Sequence, residues 1–249
     1  MELYEAFISS VPAHLRVTMA VRGRYQAYVE TEGGAGLASL PLPGKKPYGD
    51  AAVCTDWLGK PLRDLAAQLG SDDMALSALG CAAVNAWFNR RESMEALGVA
   101  LYPPEIDEGD VFRTLEPECA GKLVSTVGHF HGGEKLAGMR ELRVFEKDPR
   151  PGDYPEREED RLLPGSDVVI ITGMALTNGT MPHILELCRD SQIVALSGPS
   201  VPVSPIWFDH GVTALFGTLC WDIPGCRKAM RYGGHKDTWK YMGKSVLRK

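Results

Sequence analysis

The chain reads as an α/β protein: a small α+β part, then an open, mostly parallel sheet with helices on both faces. Three observations carry this reading. Residues 168–171, Val–Val–Ile–Ile, are four consecutive β-branched side chains, which suit a strand covered on both faces. Beyond residue 119, apolar runs of this kind alternate with segments long enough to be crossover helices. The first forty residues differ, with short strand-like runs separated by tight turn signals.

In order, His14 to Val21, Tyr25 to Thr31 and Gly36 to Leu40 are expected as strands of an antiparallel meander, turning at residues 22–24 and 33–34. Pro41 to Asp50 is a Pro-, Gly- and Lys-rich loop. Apolar residues then recur at helical spacing over 61–70 and 71–91, with Ser71 or Asp72 as the cap of the second helix. That helix carries Ala78, Gly80, Cys81, Ala82 and Ala83, so small side chains let it press closely on a sheet. Asn85 and Asn89, four apart on one face, either satisfy nearby loop carbonyls or face a cleft. Tyr102 to Glu118, acidic and with adjacent prolines, has the composition of a linker. Strands follow at 122–127, 142–146, 167–171, 192–196 and 212–219. Their order, 2-1-3-4-5 or 3-2-1-4-5, is open. The basic tail from Arg227 to Lys249 reads as a solvated terminal helix.

Composition narrows the function classes. With 27 basic and 32 acidic side chains the net charge is −5, which argues against nucleic-acid binding. No apolar run reaches the roughly 18 to 20 residues of a membrane helix, and the start lacks the basic region of a signal peptide. A cytoplasmic protein without membrane partners is expected, with homo-oligomerisation left open. The six cysteines form no C-x-x-C pair, so neither a zinc ribbon nor a disulfide framework is indicated; Cys81 and Cys188 read as core thiols.

In an open parallel sheet the ligand crevice lies beyond the carboxyl ends of the strands, so the residues there nominate a site. They are Gly128 and His129, Glu146, Thr172 and Gly173, and Gly198, Pro199 and Ser200. After Gly173 a helix is expected to begin at Asn178 as N-cap, with Gly179, Thr180 and Pro182 in its first turn, where unpaired N–H groups and the helix dipole favour an anion. Glu146 follows Gly128 by about the interval of a ribose-binding acid, but Gly128 does not begin a G-x-G-x-x-G, so no standard NAD or FAD mode is expected. His129 and His131 form a His-x-His that, with Glu146, is a candidate set for a divalent transition metal. No nucleophile is assembled: Ser200 does not lie in a G-x-S-x-G elbow.

These same residues carry a family resemblance. The chain resembles the two-part family named for heavy-metal chelation, over nearly its whole length. In the first part the likeness rests on Gly36–Leu37–Ala38 and on residues 78–86. In the second it rests on Val127–Gly128–His129–Phe130, Val144–Phe145–Glu146, Leu162–Leu163–Pro164, residues 172–180 and Gly198–Pro199–Ser200 with Pro202. The resemblance implies an enolase N-terminal-like α+β domain over 1–112 and a Rossmann-like domain over 113–249, with a cleft between them. One departure is His131, where the family pattern carries proline. Together these observations lead to two expectations. The first is a protein that binds an anionic or metal-associated metabolite in an interdomain crevice, using Gly128, His129, Glu146, Thr172, Gly173, Asn178, Gly179, Thr180, Gly198, Pro199, Ser200 and Asn85. The second is an enzyme acting there on a pterin-, flavin- or nucleotide-like molecule, with Glu146 as base.

Overall fold

The computed structural model describes residues 2–42, 46–106, 108–130, 136–232 and 235–249. His131 lies outside the described residues. Among those described, the strands form two sheets, one of four strands and one of eight.

The first sheet is the meander β1 (Val17–Arg22), β2 (Gln26–Thr31) and β3 (Gly34–Ser39), extended by β4 (Ala52–Val53) in the order β3-β2-β1-β4. Helices α1 (Leu3–Ser10), α2 (Leu62–Ala66) and α3 (Met74–Phe88) accompany it. The cap of α3 is Asp73, whose carboxylate accepts from Ala75 and Leu76 N–H, rather than Ser71 or Asp72; Ser71 Oγ instead accepts the Asp73 N–H. The small-residue run does bring backbones together. A Cβ on Gly36 would lie 2.2 Å from both the Ala82 carbonyl oxygen and the Ala86 nitrogen, so β3 and α3 touch main chain to main chain.

After α4 (Arg91–Ala96) the chain enters the second sheet. Its elements are β5 (Ala100–Tyr102), α5 (Val111–Cys119), β6 (Leu123–Val127), β7 (Glu141–Glu146), β8 (Tyr154–Pro155), α6 (Glu159–Leu162) and β9 (Val168–Thr172). There follow α7 (Met174–Thr177), α8 (Met181–Leu187), β10 (Ile193–Ser197), β11 (Ala214–Cys220), α9 (Ile223–Tyr232), α10 (His235–Thr238) and β12 (Met242–Arg248). The spatial order is β5-β12-β11-β10-β9-β6-β7-β8, parallel from β8 to β11 and antiparallel at β12 and β5. Counted along the parallel strands this is 3-2-1-4-5-6, the doubly wound order in which the chain reverses direction between β6 and β9.

Three expectations change. Residues 102–118 are not a bare linker: β5 pairs with β12, and Val111, Phe112 and Leu115 of α5 pack on Val124, Val168 and Ile170. The tail is not a terminal helix, because Val246 and its neighbours pair with β11 and Arg248 is held by Glu118 at 2.7 Å. No helix begins at Asn178. The chain turns into α7 directly after Gly173, and α8 starts only at Met181.

The two parts share one core. Phe7 of α1 meets Trp207 with ring centroids 4.9 Å apart, Tyr4 Oη donates to the Leu176 carbonyl at 2.8 Å, and Ser77 Oγ donates to the Thr177 carbonyl at 2.7 Å. Cys81 and Cys188 are buried in this continuous cluster. Among the described residues no helix is long and apolar enough to cross a membrane.

Candidate functional site

The reversal in strand order leaves a recess of about 180 Å³ beyond the ends of β6, β7 and β9. Gly128 makes it: at φ +95° it turns the chain where a Cβ would lie 2.8 Å from Thr172 Cγ2. Its N–H donates to the Phe145 carbonyl at 2.9 Å, and the next N–H, of His129, donates to Glu146 Oε2 at 2.9 Å. The other Glu146 oxygen accepts the N–H of Lys147 at 2.9 Å. On the β9 side, Asn178 Oδ1 accepts from both the N–H (3.1 Å) and the hydroxyl (2.8 Å) of Thr180, a side-chain-closed turn that presents both residues to the recess. Val127, Phe145, Met174, Ala175 and Ile184 supply the apolar part of the lining.

Charge in the recess is predominantly negative. Among the described residues, Glu146, Glu156 and Glu159 line it against one lysine, Lys147, which already lies 3.3 Å from Glu156. Glu159 is 7% exposed. Its burial, reinforced by the Glu156 carboxylate, pushes its carboxyl up to about 7 against the opposing pull of His183 and Lys147. The His129 ring is engaged at both nitrogens. Nη1 of Arg150 lies 2.5 Å from Nε2, and Asp153 Oδ2 lies 3.5 Å from Nδ1. Because a guanidinium can only donate, Nε2 is assigned as the acceptor and Nδ1 as the protonated nitrogen facing Asp153.

Of the residues nominated from sequence, Gly128, His129, Glu146, Thr172, Asn178 and Thr180 line this recess. Gly173 and Gly179 are part of the same turn, Gly173 buried against Ser200 and Val201 and Gly179 at φ +84°. Gly198, Pro199, Ser200 and Asn85 do not line it. The loop after β10 folds toward the first sheet, where Ser200 Oγ accepts the Ser39 N–H at 2.8 Å and the Pro199 carbonyl accepts from Asn85 Nδ2 at 2.9 Å. Asn85, with 0% exposure, also donates to the Leu37 carbonyl at 2.7 Å, so its amide ties the two parts together. Two of the three expected turns therefore converge, and the recess lies within the second part because every lining residue falls between 127 and 184.

Glu156, Glu159 and Lys147 were not singled out in the sequence. The visible signal was the acidic run Glu156–Arg–Glu–Glu–Asp160, which resembles an ordinary solvated turn. The two-residue β8, paired with Phe145 and Glu146, is what folds that run back over the end of β7.

The described residues, which do not include His131, do not by themselves make a resident metal site. Among the described residues no three His, Cys, Asp or Glu side chains form a group able to hold an ion. Glu146 and His129 spend their donor atoms on the backbone and on Arg150 and Asp153.

Residues 4–88 and 110–249 match two family descriptions, both worded "Putative heavy-metal chelation". A crystal structure of a protein of unknown function from Desulfitobacterium hafniense superposes with a TM-score of 0.84 at 27% identity, covering 99% of this chain and 97% of that one. Another, from Pyrococcus horikoshii, shares the fold with a TM-score of 0.79 at 19% identity, covering 99% and 98%. An uncharacterized protein of Methanocaldococcus jannaschii is 27% identical over 179 residues, which are 70% of this chain and 65% of that relative's length. With both halves matched in order, and the second match alone spanning more than half its length, the chain belongs to the family described by heavy-metal chelation.

Proposed function

We propose that the protein binds a small cationic or metal-associated metabolite in the recess at the ends of β6, β7 and β9. The observation that carries this reading is the set of three glutamates which, among the described residues, face a recess lined by a single lysine that is already paired. An unaccompanied anion would meet net negative charge there, whereas an amine or a metal chelate would neutralise it. A metal arriving with its own ligands also needs no cage of protein donors. The Gly128 loop and the Asn178–Thr180 turn provide close approach and hydrogen bonds for the rest of the molecule.

Glu159 supplies the test. Around it stand Glu156 and Asp160 on its own segment, Lys147 after β7, His183 of α8 and the Cys188 thiol. Binding of a cation favours the ionised carboxylate, so affinity for amine-bearing metabolites, or for cobalt or nickel chelates, is expected to rise as pH increases from 6 to 8. Glu159→Gln should flatten that dependence in isothermal titration. Affinity that strengthens with falling pH, or that favours inorganic phosphate, would contradict the proposal.

Stability gives an independent check. A carboxyl raised from its ordinary 4.5 to about 7 favours the folded state while protonated, and this contribution is lost as pH rises through 7. At about 1.4 kcal/mol per pKa unit, and discounted for water in the recess, Glu159→Gln should stabilise the fold by about 1–2 kcal/mol at pH 8 and hardly at pH 5.

A second reading is favoured by the same carboxyl. A group titrating near 7 beside a bound molecule suits proton transfer, which fits an enzyme acting on a pterin-, flavin- or nucleotide-like substrate with Glu159, not Glu146, as acid or base. Turnover in a metabolite screen that collapses in Glu159→Gln, while binding persists, would favour it.

A further inference from the structure

Outside the recess, the chain collects sulfur where β11 turns into α9. Cys220 ends the strand and Cys226 lies within the helix, and the reversal at Asp222 folds them together. Asp222 caps that reversal, its carboxylate accepting the Gly225 N–H at 3.1 Å and its carbonyl the Cys226 N–H at 2.8 Å. The two thiols share one apolar cluster, Cys226 buried in it and Cys220 packed against it. Cys226 Sγ lies 3.3 Å from the Tyr241 carbonyl. Around them, in one apolar cluster, sit the thioethers of Met19, Met230 and Met242.

The charges beside this cluster are balanced. Glu30, 5% exposed, is gripped by Arg227 through two hydrogen bonds of 2.6 Å and accepts the Tyr28 hydroxyl at 2.5 Å. Its oxygens are thus committed, and the remaining ligand chemistry of the cluster is sulfur, from two thiols and three thioethers.

We propose that Cys220 and Cys226 form a site for a soft, thiophilic d10 cation that is satisfied by two sulfur ligands, the mercuric ion being the best match. Each metal–sulfur bond replaces an S–H bond, and the released proton passes to water. A divalent ion bound this way leaves a neutral bis-thiolate, which can stay in an apolar cluster at no cost in buried charge. A monovalent ion such as Cu(I) leaves one negative charge beside Glu30. Zinc wants four donors in a tetrahedron and is not matched by two. Cys220 is half-buried as a residue and Cys226 is buried. The neighbouring Cys226 side chain, together with burial, holds the Cys220 thiol well above its usual range, so it rests protonated and unreactive until an ion displaces the proton.

The test uses the reduced full-length chain and mercuric chloride in the presence of excess β-mercaptoethanol, which removes ions from single thiols. The expected result is one ion retained per chain, with sulfur-to-metal charge-transfer absorption and proton release. Alkylation mapped by mass spectrometry should show Cys220 and Cys226 protected by the ion. Cys220→Ser should weaken retention by more than the about tenfold typical of losing an outer-sphere partner, while Cys188→Ser should leave it unchanged. Because protection is read on the unmutated chain, a folding defect in a variant does not shield the proposal. Undiminished retention by a folded Cys220→Ser, or equal alkylation with and without the ion, would overturn it. So would loss of two hydrogens showing that the thiols pair as a disulfide in place of binding.

Discussion

Gly36→Ala should lower the free energy of unfolding by about 3 kcal/mol or more, seen as a large fall in denaturant midpoint. The added methyl would meet the Ala82 oxygen and Ala86 nitrogen at 2.2 Å and the Asn85 carbonyl carbon at 2.6 Å. All three are backbone atoms of α3, so no flexible side chain can swing aside and the helix must lift from β3. Gly33→Ala is the internal comparison. A Cβ there meets nothing within 4 Å, but φ is +74°, so only the left-handed conformation is penalised, at about 1 kcal/mol. Equal losses at the two positions would refute the steric account of the β3–α3 contact.

Asn89→Ala should cost a similar amount, about 3 kcal/mol, and more than Asn85→Ala. Asn89 is 3% exposed, and its amide makes three hydrogen bonds across the seam. Nδ2 donates to the Val201 and Thr218 carbonyls, each at 3.0 Å, and Oδ1 accepts the Val203 N–H at 2.8 Å. Truncation strands three buried backbone groups. Asn85 also donates to two carbonyls, but its own Oδ1 has no partner, so its removal relieves one unsatisfied atom while creating others. Chemical denaturation of the two variants gives the ranking directly; the opposite order would mean that solvent enters the seam beside Asn89 and satisfies what the amide leaves behind.

These two amides show how far local pattern reaches. Their spacing put them on one face of a helix, and satisfying loop carbonyls was one of the two roles that spacing allowed. Which carbonyls, those of Leu37 in β3, Thr218 in β11 and Pro199 and Val201 in the loop after β10, depended on that distant loop folding onto α3. The same contact explains why Gly198, Pro199 and Ser200, chosen as strand-end residues, belong to the seam and not to the recess. The helix expected at Asn178 was misplaced for a local reason. The Asn178 carboxamide caps a turn closed by Thr180, a geometry that resembles an N-cap in sequence but precedes Met181 by a further turn.

The alternation of apolar runs and turn signals was enough to establish an antiparallel meander, a second, mostly parallel sheet and the strand ends from which a site had to be built, because those depend on neighbours a few residues away; the antiparallel β5 and β12 at its edge were not legible. Strand order, the closing of the two parts on one core and the negative lining of the recess arose from contacts between residues far apart in the chain. Glu159 shows the difference most clearly. In the acidic run it is one carboxylate among several, and it becomes a buried group titrating near neutrality only when β8 pairs with β7 and α8 packs beside it, removing the water that would otherwise hold its pKa low.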